Sequence, residues 1–96
     1  MEKSELIQLK KDLLLAEKEE ELFVLDIESG RIHRFNHTAK IIFQLALEPH
    51  SPEDIAAEYA SRFSLEQAEA EEDVKTIVGM MRQYNLLRPA GDVRDD

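Results

Sequence analysis

The sequence predicts a small α+β domain in which a β-hairpin precedes a cluster of helices. The first observation is that residues 25–36 have the pattern of a strand, a tight turn at Gly30, a second strand and a helix cap at Asn36. The second is that the apolar residues after Asn36 recur at helical spacing. A hairpin in front of helices leaves one strand edge beside a helix. Such an edge can bind an extended peptide through main-chain hydrogen bonds.

Size and composition narrow the classes of function. A single domain of 96 residues buries roughly 60–70% of its unfolded surface on folding. This is enough for one modest core but not for a deep catalytic cleft and the residues that would support it. The net charge of −9 repels phosphate backbones, so we expect no nucleic-acid partner. The absence of cysteine excludes disulfides, thiolate metal sites and a cysteine nucleophile. Because the sequence has no nucleophile elbow or phosphate loop, we expect neither an enzyme nor a bound cofactor.

The apolar stretches of the chain predict a cytoplasmic protein with no membrane partner. Residues 1–5 are charged and lack the apolar stretch of a signal peptide. The longest apolar runs span four residues, whereas a membrane-spanning helix needs about 20.

The hairpin is predicted in three parts. Residues 21–27 are mostly apolar and β-favouring, which is typical of a buried strand. Glu28-Ser29-Gly30 predicts a type I turn followed by a glycine at positive φ, and residues 31–35 form the return strand. With this three-residue loop, the expected cross-strand pairs are Leu25 with His33 and Phe23 with Phe35.

Three helices are predicted after the hairpin, at about residues 37–47, 52–62 and 65–84. Asn36 can cap the first helix through its side-chain oxygen, and Ser51-Pro52 is the clearest helix start in the chain. Ser64 is expected to cap the third helix, and Asn85 to close it in the left-handed conformation. The expected core positions are Ala39, Ile42, Phe43 and Ala46 on the first helix, Ile55, Ala56, Tyr59, Ala60 and Phe63 on the second, and Ala70, Val74, Ile77, Val78 and Met81 on the third.

Taken in order, these segments resemble the PqqD-like family, also called RiPP precursor-peptide recognition elements. RiPPs are ribosomally made and post-translationally modified peptides. The resemblance covers about residues 12–88 and rests on Leu25-Asp26, Gly30-Arg31, Phe35-Asn36-His37-Thr38-Ala39, Ile42, Ser51-Pro52-Glu53-Asp54-Ile55-Ala56, Tyr59, Phe63, Asp73-Val74 and Asn85-Leu86-Leu87. Residues 26–31 replace the apolar-Tyr-Pro-Glu-Gly turn of PqqD proper. The chain is therefore more similar to stand-alone members that accompany lasso-peptide and other peptide-modifying systems.

The resemblance implies a winged-helix-like α+β domain, with a three-stranded antiparallel sheet followed by a three-helix cluster. It places residues 12–17 in the first strand, whereas local propensity alone favours a helix across residues 4–22. The expected organisation is an N-terminal extension at 1–11, the recognition domain at 12–88 and a disordered tail at 89–96.

The resemblance also implies a non-catalytic function in peptide binding. Family members bind the leader of a precursor peptide as an added strand and present it to a modifying enzyme, such as radical SAM or lasso-peptide machinery or the enzymes of PQQ biosynthesis. Carried over to this chain, the binding residues are Arg31, Ile32, His33, Arg34 and Phe35 on the third strand and Asp73, Ile77, Met80 and Tyr84 on the third helix. Arg31, Arg34, Lys75 and Arg82 are candidates to pair with acidic leader residues. The alternative is that Ile77, Met80 and Tyr84 only complete the core.

Two further functions compete with peptide recognition. A winged-helix DNA-binding regulator would need cations near the start of its recognition helix, but residues 66–73 carry five acids and no base. The second competing function is that of a generic protein–protein adaptor without a peptide groove. A metal site is not expected, because His33 and His37 lie across a strand-to-helix boundary without a third ligand.

Overall fold

Three antiparallel strands followed by three helices form the fold in the computed structural model, which describes residues 5–89. The elements are β1 (Leu13–Lys18), β2 (Glu21–Asp26), β3 (Arg31–Asn36), α1 (Ala39–Leu45), α2 (Pro52–Phe63) and α3 (Gln67–Gln83). This order confirms the predicted α+β class, with three strands before three helices. Within the described residues, no helix has both the length and the apolar character needed to cross a membrane.

The strand β2 lies at the centre of the sheet, with β1 and β3 at its two edges. Glu19 and Glu20 join β1 to β2, and both have positive φ (54° and 65°), as a tight two-residue hairpin loop requires. Residues 13–18 thus form a strand although their local propensity favours a helix. Pairing along β2 outweighs that propensity, because the fit of a strand in a sheet depends on its neighbours.

The register between β2 and β3 differs by one residue from the prediction. The pairs are Leu25 with Ile32, Phe23 with Arg34, Val24 with His33 and Leu22 with Phe35. The expected pairing of Leu25 with His33 and of Phe23 with Phe35 was therefore wrong. A slip of one residue exchanges the two faces of a strand, so the register decides which side chains of β3 face the helices.

Asp26 causes this register. Its side chain is buried, and its Oδ1 accepts hydrogen bonds from the amides of Glu28 and Ser29 at 3.1 and 3.4 Å. Its carbonyl accepts a third from the Gly30 amide at 2.7 Å. Gly30 has φ of +76°, a conformation that glycine adopts without strain. These bonds place residues 27–30 in the loop and pair Asp26 directly with Arg31.

Most of the helix caps are formed by the residues that the sequence predicts. Asn36 Oδ1 accepts a hydrogen bond from the Ala39 amide at 3.2 Å, although the first helix begins at residue 39 and not at 37. Ser51 Oγ accepts one from the Asp54 amide at 3.1 Å, and Asn85 closes α3 at φ of 60°. The expectation for Ser64 was wrong. It is the left-handed C-cap of α2, and α3 begins after Glu66.

The core lies between one face of the sheet and the three helices. Leu22, Val24 and Phe35 from the sheet are buried, and the rings of Phe35 and Phe43 lie 4.8 Å apart. All the expected helix positions are buried or packed against the core except Phe63. Phe63 is 39% exposed at the end of α2, and its ring lies 4.9 Å from that of Tyr59.

Residues Ile7 and Leu9 also belong to this core, each 3% exposed. Ile7 pairs with His50 and Leu9 with Leu87 as isolated β-bridges. Both come from the stretch that the sequence analysis set apart as an N-terminal extension. Most of the expected C-terminal tail, at 90–96, and residues 1–4 lie outside the described residues.

Candidate functional site

The outer edge of β3 is the first component of the candidate site. β3 pairs with β2 on one side, and no strand from residues 5–89 pairs with its other side. Ile7 and Leu9 form bridges with His50 and Leu87, so this part of the N-terminal segment lies away from the edge. Alternate residues of an edge strand direct their amide and carbonyl groups away from the sheet. Residues 31–36 therefore present main-chain donors and acceptors to a ligand.

The C-terminal end of α3 lies beside this edge and is the second component. The Tyr84 ring is stacked on the His33 imidazole, with ring centroids 4.5 Å apart and planes inclined by 17°. Tyr84 also lies 6.5 Å from the ring of Phe35. His33 Nε2 is buried and has no hydrogen-bond partner within the described part of the chain. These aromatic rings line the space between β3 and α3.

One flank of α3 carries the four helix residues that the resemblance singled out. Asp73, Ile77, Met80 and Tyr84 follow each other at helical spacing and so share a face. Ile77 and Met80 are partly buried and pack against the core, whereas Tyr84 is 39% exposed. Ile77 and Met80 thus contribute to the core and also line the flank.

Asp73 is fixed on this flank by a second helix. Its Oδ2 accepts a hydrogen bond from the Tyr59 hydroxyl at 3.1 Å. Burial raises the pKa of Tyr59, and the nearby Asp73 carboxylate adds to the rise, so the phenol remains a neutral donor. The carboxylate therefore has a defined position at the upper end of the flank.

The five candidate residues of β3 divide between the two faces of the sheet. Phe35, His33 and Arg31 lie on the helix side, opposite buried Leu22, Val24 and Asp26, although Arg31 at the start of the strand is exposed. Ile32 and Arg34 lie on the other face, and both are exposed. Arg34 Nε lies 3.3 Å from Glu21 Oε2, an ion pair at the surface. The structure thus brings His33 and Phe35 to α3 and leaves Ile32 and Arg34 away from it.

Two of the cations expected near a leader lie elsewhere. Lys75 and Arg82 line a groove of about 810 Å³ between α3 and the start of α2, together with Pro52, Val78 and Gly79. This groove is on the opposite flank of α3 from Tyr84. The sequence could have indicated this position. On a helix, Lys75 and Arg82 lie more than a quarter turn around the axis from Met80 and Tyr84.

An ion cluster that the sequence analysis missed holds the hairpin. Lys10 Nζ lies 3.0 Å from Asp26 Oδ2 and 3.1 Å from Glu28 Oε1. The hydrogen bond from Lys10 lowers the pKa of Asp26, although burial opposes this. Burial works against the charge of Lys10, but its bonds to both carboxylates outweigh this and raise its pKa. The N-terminal segment thereby fixes the loop that sets the register of β3.

The structure gives no support to the competing sites. Within the described residues, no group of three or more histidine, aspartate or glutamate side chains could hold a metal ion. The five acids at the start of α3 are all exposed, which makes this end of the helix anionic: Glu66, Glu69, Glu71, Glu72 and Asp73. Such a surface repels a phosphate backbone.

Comparison with known proteins identifies the family of this chain and shows which solved structures share its fold. The profile of the family described as "Coenzyme PQQ synthesis protein D (PqqD)" matches residues 21–87, more than half of the chain. Among curated protein sequences, none matches significantly.

Three solved structures share the fold. The structure of lasso peptide synthetase B1 complexed with the leader peptide has a TM-score of 0.71 and 29% identity, covering 86% of this chain and 98% of that one. TbiB1 in complex with the TbiA(beta) leader peptide has a TM-score of 0.72 and 18% identity, covering 92% and 99%. The PqqD truncation of Methylobacterium extorquens PqqCD, described as a functional and stand-alone RiPP recognition element, has a TM-score of 0.75 and 18% identity, covering 92% and 94%. At 18% identity, the latter two establish a common fold.

Proposed function

This chain belongs to the PqqD family, and on that basis we propose that it is a non-catalytic recognition element for a precursor peptide. It binds the leader of a ribosomally made precursor as a strand added to β3 and presents it to a peptide-modifying enzyme. The observation that carries the proposal is the edge of β3 beside the apolar flank of α3, which no strand of residues 5–89 pairs with. We also propose a cytoplasmic location, where such precursors are synthesised.

The similar structures support a leader peptide as the ligand. Two of them contain a leader peptide, and the third is described as a RiPP recognition element. The identity of 29% to lasso peptide synthetase B1 exceeds the 18% to the PqqD truncation. This difference favours a lasso-type or another peptide-modifying system over PQQ synthesis.

In the proposed binding mode, main-chain contacts supply affinity and side-chain contacts supply selectivity. Main-chain hydrogen bonds to residues 31–35 hold the leader in register with little regard for its sequence. Selectivity comes from side chains on the helix side, namely His33 and Phe35 with Ile77, Met80 and Tyr84. Met80 suits varied apolar anchors because its side chain is flexible and polarisable. Binding must also offset the ordering of the leader, which costs about 2–5 kcal/mol or more.

Charge adds a second level of selectivity in this proposal. Arg31 and Arg34 are exposed on β3, with Arg34 on the sheet face away from α3, and Asp73 is exposed on the α3 flank. A leader with an acidic residue near β3 and a basic or hydrogen-bonding residue near Asp73 would match both. Exposed pairs of this kind are worth about 0.2–1 kcal/mol each, so they tune the choice of leader and do not dominate affinity.

Titration with a leader peptide, followed by backbone amide NMR shifts, tests the proposal. The peptide is the leader segment of the precursor encoded in the same gene cluster. We expect shifts concentrated in residues 31–36 and 73–84, with new protection of β3 amides from exchange. Shifts confined to α1 or α2, with none in residues 31–36, would contradict the proposed edge. A gel shift with duplex DNA at low salt is the control for the DNA-binding alternative, and no retardation is expected.

A further inference from the structure

The sheet face that points away from the helices carries a continuous apolar row. Leu14, Leu25 and Ile32 are direct cross-strand neighbours on β1, β2 and β3. Leu14 is 56% exposed, Ile32 is 66% exposed and Leu25 is half-buried between them. Ala16 and Phe23 form the next pair on this face. We call these five residues the outer apolar face.

This arrangement differs from ordinary exposure of single apolar residues. An isolated exposed leucine is common on protein surfaces and needs no explanation. Leu47, at 51% exposure beyond the end of α1, is such a case. The outer apolar face instead joins side chains from all three strands at the spacing of about 5 Å that cross-strand neighbours have. Contiguous apolar surface with a polar surround marks an interaction site.

The dimensions of the face argue against a second copy of this chain as its occupant. Three strands of six residues cover about 15 by 20 Å, whereas each partner in a stable complex buries about 800 Å². Two chains that each carry a net charge of −9 also repel one another. A partner must therefore cover more than this face and must not be strongly acidic.

A bound leader would supply the missing area. A strand added to β3 lies about 4.8 Å from it and directs alternate side chains to each face of the sheet. The side chains that point away from the helices would lie next to Ile32 and continue the row Leu14–Leu25–Ile32. The outer apolar face is thus continuous with the proposed leader site, and it becomes a four-stranded surface only when the leader is bound.

The charges around the face indicate the chemistry of the partner. On this side, Arg34 is paired with Glu21 and Lys18 lies opposite Glu21 on β1. The β1–β2 turn adds the exposed carboxylates of Glu19 and Glu20, so acids outnumber bases at this end of the face. A partner patch with an apolar centre and a basic margin would complement this surface and would be attracted by the net negative charge.

We infer that the outer apolar face is the docking surface for the peptide-modifying enzyme, which contacts it together with the outward side chains of the bound leader. This inference rests on the proposed leader recognition. It provides a reason for an enzyme to engage the loaded protein more tightly than the empty one, because only the loaded protein presents the whole surface.

The test compares two matched leucine variants with the wild-type chain. Leu14→Lys places a charge on β1, the strand farthest from the leader edge, whereas Leu47→Lys changes an equally exposed leucine away from the sheet. The purified modifying enzyme from the same gene cluster is titrated with each protein, with and without the leader peptide. Circular dichroism checks folding, and Leu14→Thr provides a β-favouring second variant should Leu14→Lys fold poorly.

We expect Leu14→Lys to weaken the complex of enzyme and loaded protein by about tenfold or more, because it places an unpaired charge in an apolar contact. Leu47→Lys should change it by less than about twofold, and both variants should bind leader as the wild type does. Unchanged enzyme affinity for Leu14→Lys, with leader binding intact, would overturn the inference and leave the proposed function standing. A wild-type dimer in sedimentation that Leu14→Lys converts to monomer would overturn it in favour of a second copy. Failure of the wild type to bind leader would instead remove the proposed function itself.

Discussion

The Tyr84 ring stacks on the His33 imidazole with centroids 4.5 Å apart, which joins the C-terminal end of α3 to the edge strand β3. Tyr84 remains 39% exposed in this position, so its ring is available to a ligand. His33 Nε2 is buried and has no hydrogen-bond partner within the described residues. A peptide at the edge of β3 would therefore contact the stacked rings of Tyr84 and His33, which are already ordered without it.

Replacing Tyr84 with alanine should weaken leader binding by about tenfold or more, because aromatic anchors at the centre of an interface commonly contribute above 1 kcal/mol. Global stability should fall by about 1–2 kcal/mol, since the ring is only partly buried. Isothermal titration with the leader peptide measures the affinity, and urea unfolding measures the stability. Arg82→Ala is the matched control on the opposite flank of α3, and it should bind leader normally. Equal losses for both variants would place the peptide elsewhere.

Most of the fold could be predicted from the sequence because its signals are local. The caps at Ser51 and Asn85 depend on neighbours within one helical turn, and both have the expected geometry. The strand β1 could not be predicted in this way, because its residues favour a helix until β2 is present to pair with them. Here the family resemblance supplied what local patterns could not.

The β2–β3 register and the two sides of the site depended on contacts distant in sequence. Asp26 is buried, and Lys10 on the N-terminal segment neutralises its charge at 3.0 Å. An isolated aspartate in the hairpin gives no sign of that partner, so the loop was predicted one residue too short. The predicted register also set His33 and Phe35 opposite Leu25 and Phe23, which lie on the sheet face away from the helices. Membership of the α3 flank was predictable because helical periodicity alone determines it.

The Lys10–Asp26 pair should make stability depend on pH in acid. The pKa of Asp26 is lowered from its usual 3.8, first by the hydrogen bond from Lys10. A carboxyl whose pKa is lower in the folded state contributes stability above the unfolded pKa, and this contribution is lost as pH falls through the folded pKa. We therefore expect the free energy of unfolding of the wild type to decrease below about pH 4.

Asp26→Asn should be less stable than the wild type at neutral pH and should show a shallower loss of stability in acid. Urea unfolding between neutral pH and about pH 3 measures both effects. Glu28→Gln is the control, because Glu28 also contacts Lys10 but its side chain is 74% exposed. It should shift stability by less than about 0.5 kcal/mol. An acid slope in Asp26→Asn equal to that of the wild type would contradict this role of the pair.

The two described glycines should respond to alanine in opposite directions. Gly30 has φ of +76°, so Gly30→Ala should destabilise the hairpin by about 1 kcal/mol through backbone strain. Gly79 lies within α3, and an added Cβ would meet no atom within 4 Å. Gly79→Ala should therefore stabilise the protein by about 0.4–1 kcal/mol. Thermal unfolding of both variants decides the signs, and a stabilised Gly30→Ala would show that the turn can change its conformation.

The core position of Leu9 predicts that the N-terminal segment is needed for folding. Leu9 is 3% exposed, its amide donates to the Ala46 carbonyl at 2.7 Å, and it forms a bridge with Leu87. Leu9→Ala should cost about 2–5 kcal/mol, the range for a buried leucine that leaves a cavity. Leu47→Ala is the matched control, and it should cost less than about 1 kcal/mol because Leu47 is 51% exposed. Chemical unfolding of both variants measures the difference.

A chain shortened to begin at residue 12 loses Ile7, Leu9 and Lys10 together, so it should lose the cooperative unfolding transition altogether. If that shortened chain unfolded with the midpoint of the wild type, the segment would be dispensable and the fixed register of β3 would need another cause.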